Sequence, residues 1–498
     1  MPAPPPAARP RFRRPSLPPA GLLRVELLSG LVVALALIPE AISFSIIAGV
    51  DPKVGLYASF TMAVSIAIVG GRPAMISAAT GAMALVVVSL VDEHGVEYLL
   101  AAAILAGLFQ IALGALGVAK LMRFVPRSVM TGFVNALAIL IFLAQVPHLT
   151  GGGLLGWLLV AAGLAIIVLV GRATRAVPAP LVAIVVLTVV VVACGLEVDD
   201  VGGEGELPSA LPWIGLPSVP FSFETLKIVA PYSLTLAAVG LLETLMTARL
   251  VDDITETTSD KDREARGQGI ANVVTGLFGG MPGCAMIGQT MINVRAGGAR
   301  TRLSTFAAGA LLLVLVVGLG EVVAVIPMAA LVAVMILVSV STFDWHSVKP
   351  ATLRLMPRGE TAVMLLTVAG TVATRNLAIG VGIGVLTSMI LFARRAAHLV
   401  EVERVLDPDG TTALYAVSGE LFFASDQDLI DAFRYAEDPP RVVIDLSRAH
   451  LWDASAVAAL DAIAGHYDRH GVALEVTGLN ARSERLRNDL SGRLVAAH

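Results

Sequence analysis

The chain of 498 residues is 56% hydrophobic and 15% charged, with a mean hydropathy of +0.81 and a formal net charge of −4. That composition excludes an ordinary soluble enzyme and indicates a polytopic membrane protein. Its two cysteines, Cys194 and Cys284, lie in or beside apolar segments, so no disulfide framework or thiolate metal cluster is available.

The first 20 residues hold eight prolines with Arg9, Arg11, Arg13 and Arg14, a composition that reads as a disordered basic tail over 1–22. The first apolar run, Leu27 to Ile47, is long enough to span a bilayer and lacks a signal-peptide cleavage site, so it is expected to stay in the mature protein. Apolar segments then follow near 54–70, 76–91, 98–118, 128–147, 153–171, 177–195, 229–250, 268–280, 284–294, 304–320, 323–342, 360–374 and 377–393. With the first, these make fourteen. If the N-terminus is inside, only Lys53, Lys227 and Arg375 of the 26 Lys and Arg up to residue 395 fall outside, as the positive-inside rule requires. Both termini are therefore expected to be cytoplasmic.

Two segments are too broken to be simple spans. Residues 268–294 are interrupted by Gly279, Gly280, Pro282 and Gly283, and residues 70–91 repeat the arrangement with Gly70, Gly71 and Pro73 ahead of a small-residue stretch. Both read as half-helices starting deep in the protein. Glu40 and Glu243 are 203 residues apart, Val125–Pro126 and Ile326–Pro327 are 201 apart, and Pro73 and Pro282 are 209 apart. The near-constant offset predicts two repeats of seven spans, about 23–195 and 225–395. An odd number of spans per repeat inverts the second copy, and paired broken helices in inverted repeats mark a secondary transporter with its site near the midplane.

Two carboxylates lie inside spans, Glu40 and Glu243, and each needs a reason to be in a low-dielectric setting. Desolvation disfavours a charged carboxylate, so Glu40, one turn before Phe44, is a candidate to exchange a proton; the other reading is a neutral or ion-paired Glu that joins helices. Glu243 could carry a proton, bind sodium together with Thr247, or organise the site by hydrogen bonding. The half-helix N-termini offer free N–H groups and positive dipole ends to an anion. Ser77, Thr80 and Gly81 lie around the first, and Cys284, Ala285, Ile287, Gly288, Gln289 and Thr290 around the second. Gly81 and Gly288 suit either ligand approach or close helix packing. Asn135, Gln145, Asn272 and Asn293 read as interhelical hydrogen-bond partners, and the charged run from Arg249 as a solvated loop.

The chain has no Gly-Lys-Ser/Thr phosphate loop and no His-Glu-x-x-His motif, so neither an enzymatic activity nor a cofactor is expected. After Arg395 the composition becomes that of a soluble domain. Residues 396–498 carry 9 Arg against 17 Asp and Glu, which disfavours docking on nucleic acid or anionic lipid. Alternating strand-like and helix-like stretches predict a small α/β domain with an interaction or regulatory role.

Together the residues resemble the SulP anion transporter family, the prokaryotic relatives of the animal solute carrier 26 proteins. The likeness rests on IPEAISFSIIAGVDPKVGLYASF from Ile38, LETLMTARLVDD from Leu242, GQGIANVVTGLFGGMPG from Gly267 and the C-terminal domain, which looks like a STAS domain. The resemblance implies a polytopic α-helical fold of fourteen spans in two inverted repeats of seven. It also implies a core and a gate, elevator-like movement, homodimers and a cytoplasmic STAS domain, for which a cytoplasmic partner is left open. By position, Glu40, Phe44, Thr80, Gly81 and the stretch Ile287, Gly288, Gln289, Thr290 would line the anion site, with Glu243 close behind. Two departures stand out. Many relatives carry Ser-Arg-Ser at 288–290, so this chain lacks that fixed cation. The STAS phosphoacceptor pattern is altered to Asp453-Ala454-Ser455-Ala456, leaving phosphorylation of Ser455 open.

The expectation is a proton-coupled symporter of a small carboxylate such as a C4-dicarboxylate in the bacterial inner membrane. The alternatives are sodium-coupled transport of bicarbonate or sulfate, a nucleobase permease of the same fold, a channel, and a membrane sensor signalling through the STAS domain.

Overall fold

The computed structural model describes residues 20–120, 125–151, 153–173, 178–397 and 400–493. The tail expected over 1–22 lies outside them except for its last three residues, which are already helical. The first half comprises α1 (Ala20–Ile47), α2 (Pro52–Val69), β1 (Ser77–Ala79), α3 (Gly81–His94), α4 (Val96–Ala115), α5 (Arg127–Gly151), α6 (Gly153–Ala173) and α7 (Ala179–Cys194). In the second half the order recurs as α8 (Phe223–Thr255), α9 (Lys261–Leu277), β2 (Gly283–Ala285) and α10 (Ile287–Met291), which runs into a π-helical turn at Ile292–Ala296. After these come α11 (Arg302–Gly318), α12 (Gly320–Ala324), α13 (Met328–Thr342), α14 (Pro350–Leu355), α15 (Arg358–Thr374) and α16 (Leu377–Ala397).

Each expected apolar segment coincides with one of these helices or strand–helix units. Among the described residues, seven helices are long and apolar enough to cross a membrane by themselves, and α7, α11 and α13 are shorter apolar helices. The segment expected at 323–342 is split into α12 and α13 at Ile326–Pro327, because Pro327 lacks an N–H and serves as the N-cap of α13. Pro126 precedes α5 in the same way. Helix α14 has no counterpart among the expected segments, since six residues give less than two turns of periodicity.

Packing follows the repeat. Helix α4 lies on α9, and their counterparts α11 and α2 lie on each other. A Cβ at Gly107 would sit 2.5 Å from the carbonyl oxygen of Gly269, and one at Gly269 equally close to that of Gly107. Only glycine at both positions allows this crossing, and close backbone approach is what holds helices together where lipid removes the hydrophobic drive. Helices α1 to α4 and α8 to α11 form one group; α5, α6, α7, α13 and α15 form a second around α13–α5 and α15–α5 contacts.

The chain divides into two compact units, Met1–Gly384 and Val385–His498. That division falls inside α16, ahead of the composition change after Arg395, because composition tracks lipid whereas compactness tracks packing. The C-terminal unit holds β3 (Glu401–Leu406), β4 (Thr412–Leu421), α17 (Asp426–Asp431), β5 (Arg441–Leu451), α18 (Ala454–Arg469), β6 (Ala473–Thr477) and α19 (Ala481–Leu490). The sheet order is β3-β4-β5-β6, with β3 antiparallel to β4 and the other pairs parallel. Its core includes Tyr415 and Tyr467, whose hydroxyls donate to the buried Asp438 carboxylate at 2.7 and 2.5 Å, beside Arg404.

Candidate functional site

Strands β1 and β2 pair antiparallel, Ser77 with Ala285, Ala78 with Cys284 and Ala79 with Gly283. Equivalent pieces of the two repeats thus meet about a local two-fold axis, and α3 and α10 leave from opposite ends of the pair. Gly and Ala dominate both strands, and every residue in them is buried. Thr80 is the N-cap of α3, its Oγ1 accepting the Met83 N–H at 3.4 Å; the other first-turn N–H groups face the helix start.

Phe44 on α1 and Ile141 on α5 close over that start. A Cβ at Gly81 would lie 2.9 Å from Phe44 Cε1 and 3.1 Å from Ile141 Cδ1, so Gly81 is the point where the two helix groups meet. Beyond it, toward the end carrying Asp92 and Arg375, lies a cavity of about 1240 Å³ between α1, α3 and α8 on one side and α5 and α15 on the other. Ile46, two residues from Phe44, and Leu85, four from Gly81, line it; Glu40, Phe44, Thr80 and Gly81 themselves do not.

Ile287, Gly288, Gln289 and Thr290 do not line that cavity; the second half-helix packs beside α1 instead. The Glu40 carboxyl, half-buried on α1, faces the side-chain amide of buried Gln289. Ile287 is half-buried and Gly288 exposed, with nothing near the position of its Cβ. Thr290 departs from the expected lining. Its Oγ1 accepts the Ile76 N–H at 3.0 Å and its hydroxyl faces the Ile76 carbonyl at 3.5 Å, so it fastens the start of β1 and is not presented to a ligand. A five-residue α10 puts its fourth residue against the neighbouring strand.

Glu243 on α8 accepts the Cys284 S–H at 2.9 Å, and the same sulfur lies 3.2 Å from Thr80 Oγ1. Thr247, named above as a sodium ligand, donates to the Glu243 carbonyl at 2.8 Å and Thr244 accepts the Ala285 N–H at 3.2 Å. Among the described residues no group of three or more His, Cys, Asp or Glu is placed to hold a metal ion. No Lys or Arg occurs in 36–48, 76–90, 240–248 or 283–294; these stretches bring polar groups and helix ends to the site but no fixed cation.

Asn272 joins helices as expected, through Gln110 on α4, but sequence reasoning missed that it and Gln268 hold β2. Gln268 accepts the Ser77 hydroxyl at 3.1 Å and donates to the Gly283 carbonyl at 3.0 Å; Asn272 accepts the Gly283 N–H at 2.9 Å and donates to the Gly283 carbonyl and to Gln110. The available signal was their i, i+4 spacing on one face of α9. The charged run from Arg249 is also more than a solvated loop: α8 extends to Thr255, α9 begins at Lys261, and Asp252 binds both Arg72 and Lys261. Buried Glu264 accepts the Gly71 and Arg72 N–H groups, fixing the turn that leads into β1. Asn293 reaches Ser304 on α11 as expected and also the Ala74 carbonyl, whereas Asn135 ties α5 to the turn after α13, through Ser347 and the Asp344 N–H. In the C-terminal unit Asp453 caps α18 through the Ala456 N–H, and Ser455 is half-buried in its first turn.

Crossed half-helices between two packed helix groups, with repeats joined by an antiparallel strand pair, define a multi-pass membrane transporter. The chain belongs to the sulfate permease family, whose profile matches residues 23–155 and 154–367; residues 403–491 match the STAS domain. It is an anion transporter of that family. It is 54% identical over 471 residues to "Putative sulfate transporter YbaR" of Bacillus subtilis, covering 95% of this chain and 98% of that one. It is 27% identical over 494 residues to the bicarbonate transporter BicA of Picosynechococcus, covering 88% and 86%. The murine solute carrier 26 member A9, solved in the inward-facing state, shares the fold with a TM-score of 0.81 at 16% identity, covering 95% of this chain and 88% of that one.

Proposed function

We propose that this protein imports a small carboxylate together with a proton, with a C4-dicarboxylate first among the substrates, by elevator-type alternating access in the bacterial inner membrane. Both termini are cytoplasmic in this reading, and two copies form the working unit. The observation that carries it is the apposition of Glu40 and Gln289 in a site without a fixed cation. An anion arriving beside an ionised Glu40 meets repulsion of about 4 kcal/mol for unit charges 4 Å apart at an effective dielectric constant near 20. Protonating Glu40 removes that repulsion and frees the Gln289 amide and the first-turn N–H groups of α3 for the carboxylate. Entry of the anion is then tied to entry of a proton. Glu243, behind the strand pair, serves as the second protonatable group.

The test is uptake of labelled C4-dicarboxylate, sulfate and bicarbonate into liposomes under an inward proton gradient, a sodium gradient, or neither. Proton-driven dicarboxylate uptake supports the proposal. A second reading, sodium-coupled transport of bicarbonate or sulfate, takes its substrates from the names of the relatives and predicts that a sodium gradient drives uptake. Binding without accumulation would point to a sensor, and conductance far above carrier rates to a channel. Membership of an anion transporter family leaves the nucleobase permease without support.

A further inference from the structure

Between Glu206 and Glu224 the chain carries no charged residue; residues 207–223 read LPSALPWIGLPSVPFSF. Leu211, Trp213, Ile214, Leu216, Phe221 and Phe223 are between 67% and 93% exposed. The segment is nevertheless pinned in place. The Tyr57 hydroxyl on α2 donates to the Ala210 carbonyl at 3.0 Å, the Gly215 N–H donates to the Leu277 carbonyl at the end of α9 at 2.8 Å, and the Ser218 N–H donates to Glu97 in the first turn of α4 at 2.6 Å. A held segment surrounded by water would be expected to turn such side chains inward, because burying each large apolar side chain is worth about 1.5–3 kcal/mol.

We propose that residues 207–223 form an interfacial strap whose partner is the bilayer itself, at the boundary between headgroups and acyl chains. Three observations select that partner. The strap crosses the ends of α4 and α9, which is the level at which spanning helices leave the hydrocarbon. Its apolar surface continues into Leu319, Val322 and Val325 around α12, where Gly320 lies beside the Pro208 carbonyl. Up to Ser222, ahead of α8, its backbone forms neither helix nor sheet, which the hydrocarbon core does not tolerate, whereas the interface supplies water and headgroups. Pro208, Pro212, Pro217 and Pro220 lower the number of N–H groups needing partners, and aromatic rings at that depth match the belts of membrane proteins. The three hydrogen bonds named above tie the strap to α2, α4 and α9, all from the group that carries the half-helices, so it sets the depth at which that group rides in the bilayer.

The experiment uses the full chain in liposomes of phosphatidylcholine brominated near the headgroup (carbons 6 and 7) or deeper (carbons 11 and 12). The protein has four Trp, and subtracting the Trp213→Phe signal isolates Trp213; Trp213→Tyr gives the same subtraction if the first variant does not assemble. The proposal predicts that the Trp213 component is quenched at least twofold by the shallow bromines, less by the deep ones, and little by aqueous iodide. Quenching by iodide alone would place the strap in water, and quenching by neither would place it under another protein surface, such as a second copy; either result overturns the proposal.

Discussion

The sulfur of Cys284 on β2 lies 2.9 Å from Oε2 of Glu243 on α8 and 3.2 Å from Oγ1 of Thr80, the cap of α3. One side chain therefore links the buried carboxylate of the second repeat to the helix start of the first. The S–H donates to Glu243, and the Thr80 hydroxyl lies within reach of the same sulfur.

Replacing the thiol tests the linkage. Cys284→Ser keeps a donor and an acceptor and should retain coupled uptake, whereas Cys284→Ala should lower it about fivefold, the effect of losing one hydrogen bond worth about 1 kcal/mol. Measuring KM and maximal rate against the external proton concentration separates this from a packing defect. Loss of proton dependence in the Ala variant, with recovery in the Ser variant, is the expected pattern.

Gly81 should tolerate nothing larger. Gly81→Ala places a methyl 2.9 Å from the Phe44 ring, and overpacking of this kind costs about 1–3 kcal/mol. Uptake should fall about fivefold or more, and Phe44→Leu in the same chain should restore part of it. Equal loss in the double variant would mean that Gly81 serves only the α3 backbone.

The amide clamp on Gly283 is predicted to be structural. Asn272→Leu leaves the buried Gly283 N–H without its acceptor and removes a donor from its carbonyl, at a cost of about 2–3 kcal/mol. The detergent-solubilised protein should melt several degrees lower, while Asn272→Asp, which keeps the acceptor, should lose less.

Fold and site were legible to different depths. The half-helices could be read because Gly and Pro interrupt apolar runs at matching places, and Glu40 and Glu243 because a carboxylate in such a run needs a reason. The pairing of β1 with β2 could not, since three-residue strands of Gly, Ala, Ser and Cys carry no periodicity. Thr290 stood in sequence beside Gln289, yet a helical step of 100° sends the two in different directions, one to Glu40 and one to Ile76. Arg72 and Asp252 are 180 residues apart, a separation at which charge pairing leaves no local sign.

In the C-terminal unit, burial and Asp438 push the Tyr467 phenol well above its ordinary range, and burial with the same carboxylate raises that of Tyr415. The folded domain holds those protons at a pH where the unfolded chain has released them, so stability is full below about pH 10 and declines above it. Tyr467→Phe should flatten that alkaline decline in a circular-dichroism titration, at the expense of the hydrogen bond to Asp438 near neutrality.

The most direct test of the account follows proton movement itself. Liposomes carrying an internal pH dye should acidify when C4-dicarboxylate is added outside to the wild-type protein, with no imposed gradient. In Glu40→Gln, labelled dicarboxylate should exchange across the membrane while the internal pH stays flat. Acidification that persists undiminished in Glu40→Gln, or dicarboxylate entry into wild-type vesicles without any acidification, would contradict the assignment of Glu40 as the proton carrier.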